Sequence, residues 1–273
     1  MKKTILITGA STGIGQATAI YFADKNWNVI ATMRNPEARD STLNHPNITC
    51  MTLDVTDSHS IHAAIEESIK QFGKIDVLLN NAGYGLFGPL EALSNEQIDR
   101  QLQTNLYGVL HTMRAIIPHM RERKDGTIIN VSSIAGRMTF PFTSVYHATK
   151  YAVEGLSEAF RYEVEQHGIR VKIIEPGGIK TNFIHRSSVF VKHPSYEPQA
   201  SRYEALCTDD SSWADPREVA IVIYKAATDN SNRLRYLAKP GPFYFLYNIM
   251  PDIVWRAFGR FMLNKDLPQR KSH

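Results

Sequence analysis

Tyr146 and Lys150 stand four residues apart in the run Tyr146-His147-Ala148-Thr149-Lys150, at the start of a helical pattern. That spacing puts both side chains on one helix face, one turn apart. A free tyrosine titrates near ~10 and is protonated at neutral pH. A neighbouring ammonium favours the phenolate. Lowering the tyrosine pKa by about three units takes on the order of 4 kcal/mol, within reach of a close cation acting with a helix N-terminus. Such a tyrosine donates or accepts a proton at a carbonyl or alcohol oxygen. Taken alone, the pair equally describes two surface residues. Ser133 weights the reading toward chemistry. It lies thirteen residues before Tyr146, at the C-terminal edge of an expected strand, and ligands of open α/β sheets sit at the carboxyl ends of strands.

A second chemistry lies at the start of the chain. The apolar run Ile5-Leu6-Ile7 enters Thr8-Gly9-Ala10-Ser11-Thr12-Gly13-Ile14-Gly15 and then a helical pattern. Glycines let the backbone turn tightly against a pyrophosphate, and a helix N-terminus offers free N–H groups and a positive dipole end. Three glycines alone are weak evidence, but their place at the first strand-to-helix junction is specific. The end of the second strand selects the dinucleotide, an acidic residue there marking NAD. The sequence Val29-Ile30-Ala31-Thr32-Met33-Arg34-Asn35 has no carboxylate. Arg34 is placed to pair with a 2′-phosphate, with Ser11 and Thr12 adding hydroxyls. NADP(H) is therefore expected ahead of NAD(H), the competing reading of Arg34 being a solvated loop charge.

These residues need elements to hold them. Expected strands are 4–8, 28–32, 48–53, 77–80, 126–132, 170–175 and 234–237. Expected helices are 14–26, 58–72, 94–121, 145–167 and 215–228. Ser58 with Asp57 before it, Ser94 with Gln97, and Asp215-Pro216 are helix-start signals. The alternation predicts an α/β fold: a Rossmann-type doubly wound parallel sheet of about seven strands, helices on both faces, in a single domain over residues 1–273. Two stretches break the rhythm. Residues 183–213 lack clear periodicity and are expected to form a substrate-binding lid. Residues 239–267 form an aromatic extension with helical spacing on either side of Pro251. It is expected to pack on the body or on a second subunit, with a membrane-surface helix as the alternative.

Composition narrows the function classes. The chain has 273 residues, 43% of them apolar and 21% charged, with a net charge of +4. A disordered chain would be poorer in apolar residues. No apolar run is long enough to span a membrane, and the first residues lack a signal-peptide pattern, so a cytoplasmic protein is expected. The basic cluster Arg256, Arg260, Lys265, Arg270 and Lys271 reads as a solvated face, not a nucleic-acid footprint. Cys50, expected in the core, and Cys207 are not expected to pair. His59 and His62 have no partners at metal spacing, so no metal site is expected.

In its motifs the chain resembles the short-chain dehydrogenase/reductase family. The matching segments are TGASTGIG at 8–15, Asp54 in LDVTD, NNAG at 80–83, Asn105 in TNLYG, Ser133 in NVSSIAG, YHATK at 146–150 and PGGIKT at 176–181. They follow the family's order over residues 4–181. The segments 82–91 and 135–142 are similar to 17-beta-hydroxysteroid and retinol dehydrogenases, a branch that favours NADP(H).

The resemblance implies roles. Tyr146 is the general acid/base. Lys150 holds the nicotinamide ribose and depresses the tyrosine pKa. Ser133 bonds the substrate oxygen, and Asn105 positions a water linking Lys150 to solvent. Asp54 and Val55 meet the adenine. Asn81, Ala82 and Gly83 line the cofactor. Pro176, Gly177 and Thr181 approach the nicotinamide. Expected pocket walls are Leu86, Met138, Phe140, Phe183 and Phe190, and an apolar pocket suits a hydrophobic or aromatic carbonyl substrate. The long helices 94–121 and 145–167 resemble those that pair across subunits in the family, implying a homodimer or homotetramer. The chain is thus read as an NADP(H)-dependent oxidoreductase interconverting a carbonyl and an alcohol. The alternative is a non-catalytic NADP(H)-binding redox sensor.

Overall fold

The computed structural model describes residues 2–247 and 249–264. The chain runs β1 (Thr4–Ile7), α1 (Gly13–Asp24), β2 (Asn28–Met33), β3 (Ile48–Thr52), α2 (Ser58–Phe72), β4 (Val77–Asn80), β5 (Gly85–Phe87), α3 (Asn95–Leu102), α4 (Gly108–Arg123), β6 (Gly126–Val131) and α5 (Ser144–Val164). It continues through β7 (Ile169–Pro176), α6 (Phe183–Arg186), β8 (Ser188–Phe190), α7 (Gln199–Thr208), α8 (Pro216–Thr228), β9 (Arg235–Ala238), α9 (Pro242–Tyr247) and α10 (Asp252–Asn264).

Seven strands form one parallel sheet in the order β3-β2-β1-β4-β6-β7-β9. Its register pairs Ile5 with both Val29 and Val77, Val77 with Thr127, and Ile174 with Tyr236. The strands are near-continuous apolar runs because both faces are covered. Period-2 alternation splits each strand between two cores. Ile5, Ile7, Val29 and Ala31 pack with Phe22 of α1 and Ile223 of α8 on one face. Leu6, Ile30 and Leu78 pack with Ile61, Met113 and Val153 of α2, α4 and α5 on the other. The strand order reverses between β1 and β4, which opens a crevice at their carboxyl ends.

The expected sheet and helices are present with ends shifted by a residue or two. The cap of α2 is Asp57, whose carboxylate accepts from the His59 amide at 2.9 Å; Ser58 is the first helical residue. Ser94 and Gln97 form a reciprocal capping box on α3. Asp215 caps α8 ahead of Pro216.

Three features depart from the expected pattern. The long helix expected over 94–121 is interrupted by a π-turn at Gln103–Tyr107. The stretch 183–213 holds α7, and β8 pairs with β5 as a separate two-stranded sheet. Cys50 is half-buried, not a full core residue; it and Cys207 are both free. His59 and His62 lie exposed on α2, and among the described residues no group of side chains could hold a metal. No described helix is long and apolar enough to cross a membrane. Of the expected extension, residues 265–267 lie outside the described residues, as do Lys265, Arg270 and Lys271 of the basic cluster.

Candidate active site

The site assembles at the carboxyl edge of the sheet. Gly9 follows β1, Arg34 follows β2, Asp54 and Val55 follow β3, Asn81 follows β4, Ser133 follows β6, and Pro176-Gly177 closes β7. Residues scattered over the chain thus share one rim because parallel strands all end on the same side.

The glycine turn is built around contacts no side chain would allow. Gly9 has φ +66°, and a Cβ there would sit 2.8 Å from the Ala82 Cα. Gly13 has φ +60°, and a Cβ there would lie 3.3 Å from the Thr181 Cβ. A Cβ on Gly15 would run into the Gly9 carbonyl. Asn81 ties the turn to β4, its amide nitrogen donating to the carbonyls of Thr8 at 3.0 Å and Gly9 at 2.9 Å. The Thr8 hydroxyl accepts the Asn81 and Ala82 backbone amides at 3.0 and 3.1 Å. Asn81 and Ala82 therefore hold the turn's shape.

Thr12 is the N-cap of α1 and its side chain makes no capping bond. The first turn of α1 has no acidic residue, and the amides at a helix N-terminus lack intrahelical acceptors, which suits an anion. Beside it opens a cleft of about 430 Å³ lined by Gly13, Gln16, Lys180, Thr181, Asn182 and His185, among others. A dinucleotide pyrophosphate fits this cradle: open N–H groups, glycines that admit close approach, and the Lys180 ammonium on the rim. The sequence reading missed Lys180, although it lies inside the PGGIKT segment.

At the adenosine end, Arg34 is exposed just past β2. Ser11 is exposed too. Asp54 turns its carboxylate onto Thr56, accepting from the amide at 2.9 Å and the hydroxyl at 2.7 Å. Val55 is buried against Gly108.

At the other end, Tyr146 and Lys150 lie one turn apart on α5, with Ser133 hydrogen-bonded to the Tyr146 phenol. Ser133 also accepts the Ala135 amide at 3.1 Å and donates to the Pro176 carbonyl at 3.4 Å. Lys150 donates to the Val131 carbonyl at 3.0 Å, and its ammonium lies 5.8 Å from the Tyr146 ring centroid.

The expected pKa depression is not what the protein does by itself. Burial of the phenol pushes Tyr146 up to about 12, offset in part by the Ser133 bond. Burial brings Lys150 down to about 8, against the attraction of Glu154. Desolvation outweighs the attraction because the lysine sits over the ring and is anchored to a carbonyl.

Asn105 lies in the π-turn and is 2% exposed. Its side chain accepts the Tyr84 amide at 3.0 Å and donates to the Tyr84 carbonyl at 2.9 Å, with a longer contact to Thr149 at 3.4 Å. The side-chain amide is thus engaged with the backbone of Tyr84. A π-turn of this kind re-aims side chains within a helix and is frequent at functional sites.

His147 is an unanticipated organiser. Its Nε2 accepts the Phe140 amide at 2.8 Å, so Nδ1 carries the proton and donates to the Ala135 carbonyl at 2.7 Å. Burial holds the ring neutral. His147 thereby pins the loop after Ser133 onto α5.

Aromatic rings surround the half-buried Tyr146: Phe87 at 5.7 Å and Phe183 at 6.0 Å between centroids. Phe190 of β8 packs tilted against Phe87 at 5.0 Å, and Phe140 meets Trp255 of α10 at 6.3 Å. Tyr203 of α7 hydrogen-bonds Thr143 and Cys207, and burial raises its phenol well above the usual range. Phe87, Tyr203 and Trp255 were missed because pairing between β5 and β8 and packing of the extension have no local signature. Two expected wall residues move inward. Met138 has no exposed surface and Leu86 is 1% exposed, so both back the pocket from beneath.

Comparison with known proteins agrees with this geometry. The family profile described as short chain dehydrogenase matches residues 3–189. The chain is 35% identical over 242 residues to a 3-ketodihydrosphingosine reductase of Bacteroides thetaiotaomicron, covering 87% of each protein. The crystal structure of a short-chain dehydrogenase from Streptomyces avermitilis is similar at a TM-score of 0.83 and 32% identity, covering 95% of this chain and 96% of that one. ElxO with NADP bound is similar at a TM-score of 0.73 and 30% identity, covering 88% of this chain and 99% of its own. The strand-edge rim, the glycine cradle and the Ser–Tyr–Lys cluster thus sit in a chain that belongs to the short-chain dehydrogenase family of oxidoreductases.

Proposed function

We propose that the protein is an NADP(H)-dependent oxidoreductase that interconverts a hydrophobic ketone or aldehyde with its alcohol. The observation that carries this is the Tyr146 phenol, hydrogen-bonded to Ser133 and ringed by Phe87 and Phe183 above the Lys150 ammonium. Bound NADPH supplies the hydride that reaches the carbonyl carbon. Tyr146 supplies the proton that the oxygen takes up. At neutral pH the phenol carries that proton. Ser133 and Tyr146 together aim two hydroxyls at the oxygen where negative charge develops.

Lys150 holds the ribose hydroxyls and compensates charge as Tyr146 gives up its proton. Asn105 holds the 83–84 loop that lines the cofactor. Gly9, Gly13, Gly15, Ile14, Ser11 and Thr12 form the pyrophosphate cradle, Arg34 takes the 2′-phosphate, Asp54 and Val55 flank the adenine, and Thr181 meets the nicotinamide. The NADP(H) assignment is supported by Arg34 and by the NADP-bound ElxO neighbour. Carbonyl reduction is supported by the Bacteroides relative, named as a keto reductase.

The test is consumption of NADPH by the purified protein across a panel of aliphatic and aromatic ketones and aldehydes, with the alcohols run in reverse. Turnover with NADPH on apolar members is expected. Tight NADP(H) binding with no turnover in either direction overturns the enzyme reading in favour of a cofactor-binding sensor.

A further inference from the structure

The +4 charge of the chain is not evenly spread. Residues 239–273 hold six Lys and Arg against two Asp, a surplus of four, while the first 238 residues balance at 25 of each sign. The entire excess sits in the last 35 residues.

The described part of this segment also shows apolar side chains to solvent. Phe243 and Phe245 of α9 are 50% and 59% exposed, Ile249 is 79% exposed, and Ile253 and Val254 of α10 are 70% and 47% exposed. The inward stripe of α10 is Trp255, which meets Phe140 and Tyr247, and Phe258, which meets the half-exposed Phe243. Arg256 and Arg260 lie on the outer side of α10, exposed and one turn apart. Arg256 has only the exposed Asp252 as a partner at 3.0 Å among the described ion pairs, a contact of small worth in water. An ordinary surface helix is polar on its outer side. Here that side combines exposed apolar residues with arginines.

We infer that α9 and α10 dock the protein on an anionic lipid surface, with the Phe243, Phe245, Ile249 and Ile253 side chains at the acyl boundary and Arg256 and Arg260 at the headgroups. Apolar residues bordered by cations suit a helix lying in the plane of such an interface, and basic residues next to it are drawn to anionic headgroups. A second copy of the chain fits less well. A two-fold contact through this face brings together like patches, and each carries Arg256 and Arg260 against the single Asp252. A nucleic acid would match the arginines but not the apolar residues between them. Docking here places the substrate side near the lipid. Arg202 of α7 donates to the Leu263 carbonyl of α10 at 3.2 Å, and Trp255 meets Phe140, which packs on His147, the residue after Tyr146. Uptake of an apolar carbonyl from the lipid phase rests on the proposed oxidoreductase function; docking itself does not.

The experiment is sedimentation of the full chain with vesicles of phosphatidylcholine alone and of phosphatidylcholine mixed with phosphatidylglycerol. Binding is expected on the mixed vesicles, weakening as salt is raised. The pair Arg256→Glu with Arg260→Glu, and the pair Ile249→Asp with Ile253→Asp, should each lower it by about tenfold. Both variants should keep wild-type NADPH binding and turnover on a water-soluble carbonyl, which separates this inference from the enzyme reading. Equal binding to both vesicle types, no binding to either, or a concentration-dependent dimer that Ile249→Asp with Ile253→Asp converts to monomer overturns it.

Discussion

Asn105 clasps the backbone of Tyr84 on both sides, accepting its amide at 3.0 Å and donating to its carbonyl at 2.9 Å. The carbonyl has a second donor in the Gln101 amide at 2.8 Å, whereas among the described residues the Tyr84 N–H has Asn105 as its acceptor. Asn105→Ala should therefore leave the half-buried Tyr84 N–H without its partner and cost about 1 kcal/mol of stability. Urea unfolding measures it. Asn105→Asp, which keeps the acceptor, should recover part of the loss. An alanine variant as stable as the wild type would show that the clasp does not hold the loop.

Tyr146→Phe should lower turnover by roughly 100- to 10,000-fold, the range for a lost general acid. Its ring contacts with Phe87 and Phe183 survive the change, so NADPH affinity should stay near wild type. Steady-state kinetics and fluorescence titration of NADPH separate the two effects. Wild-type turnover in the variant would rule out the tyrosine as proton donor.

Arg34→Asp should weaken NADPH by about tenfold or more, the worth of a charge-assisted bond, and leave NADH no worse. The readout is the ratio of kcat/KM for the two cofactors. An unchanged ratio would mean that Arg34 is a solvated loop charge.

Glu175 should tilt stability with pH. It is 1% exposed, and burial and the neighbouring Glu154 raise its carboxyl to about 7, against the pull of Tyr244, Arg137 and Arg235. Arg235 reaches Glu154 at 2.9 Å and Glu175 at 3.4 Å. The folded protein thus keeps a proton that the unfolded chain releases near 4.5. The stabilisation is complete below 4.5 and is lost as pH rises through about 7. His119 and His147, both lowered by burial, tilt the curve the other way over the same range. The comparison is therefore between wild type and Glu175→Gln by thermal melts from pH 4.5 to 8. The variant should gain on the wild type as pH rises, and parallel curves would refute the assignment.

Local signals carried much of the fold and the site. The apolar runs that became β1 and β4, the glycines at 9, 13 and 15, and the Tyr146–Lys150 spacing are each legible within a few residues. Parallel strands then bring their carboxyl ends to one rim without further information. What the sequence alone determined is which side chains reach that rim. Tertiary structure decided what surrounds them. Phe87 and Phe190 meet through a strand pair joining segments about a hundred residues apart, which no periodicity reports. Asn105 finds Tyr84 only because a π-turn re-aims it. The Tyr146 pKa reverses its expected direction because desolvation depends on everything packed around the phenol, while the spacing from Lys150 specifies only one neighbour.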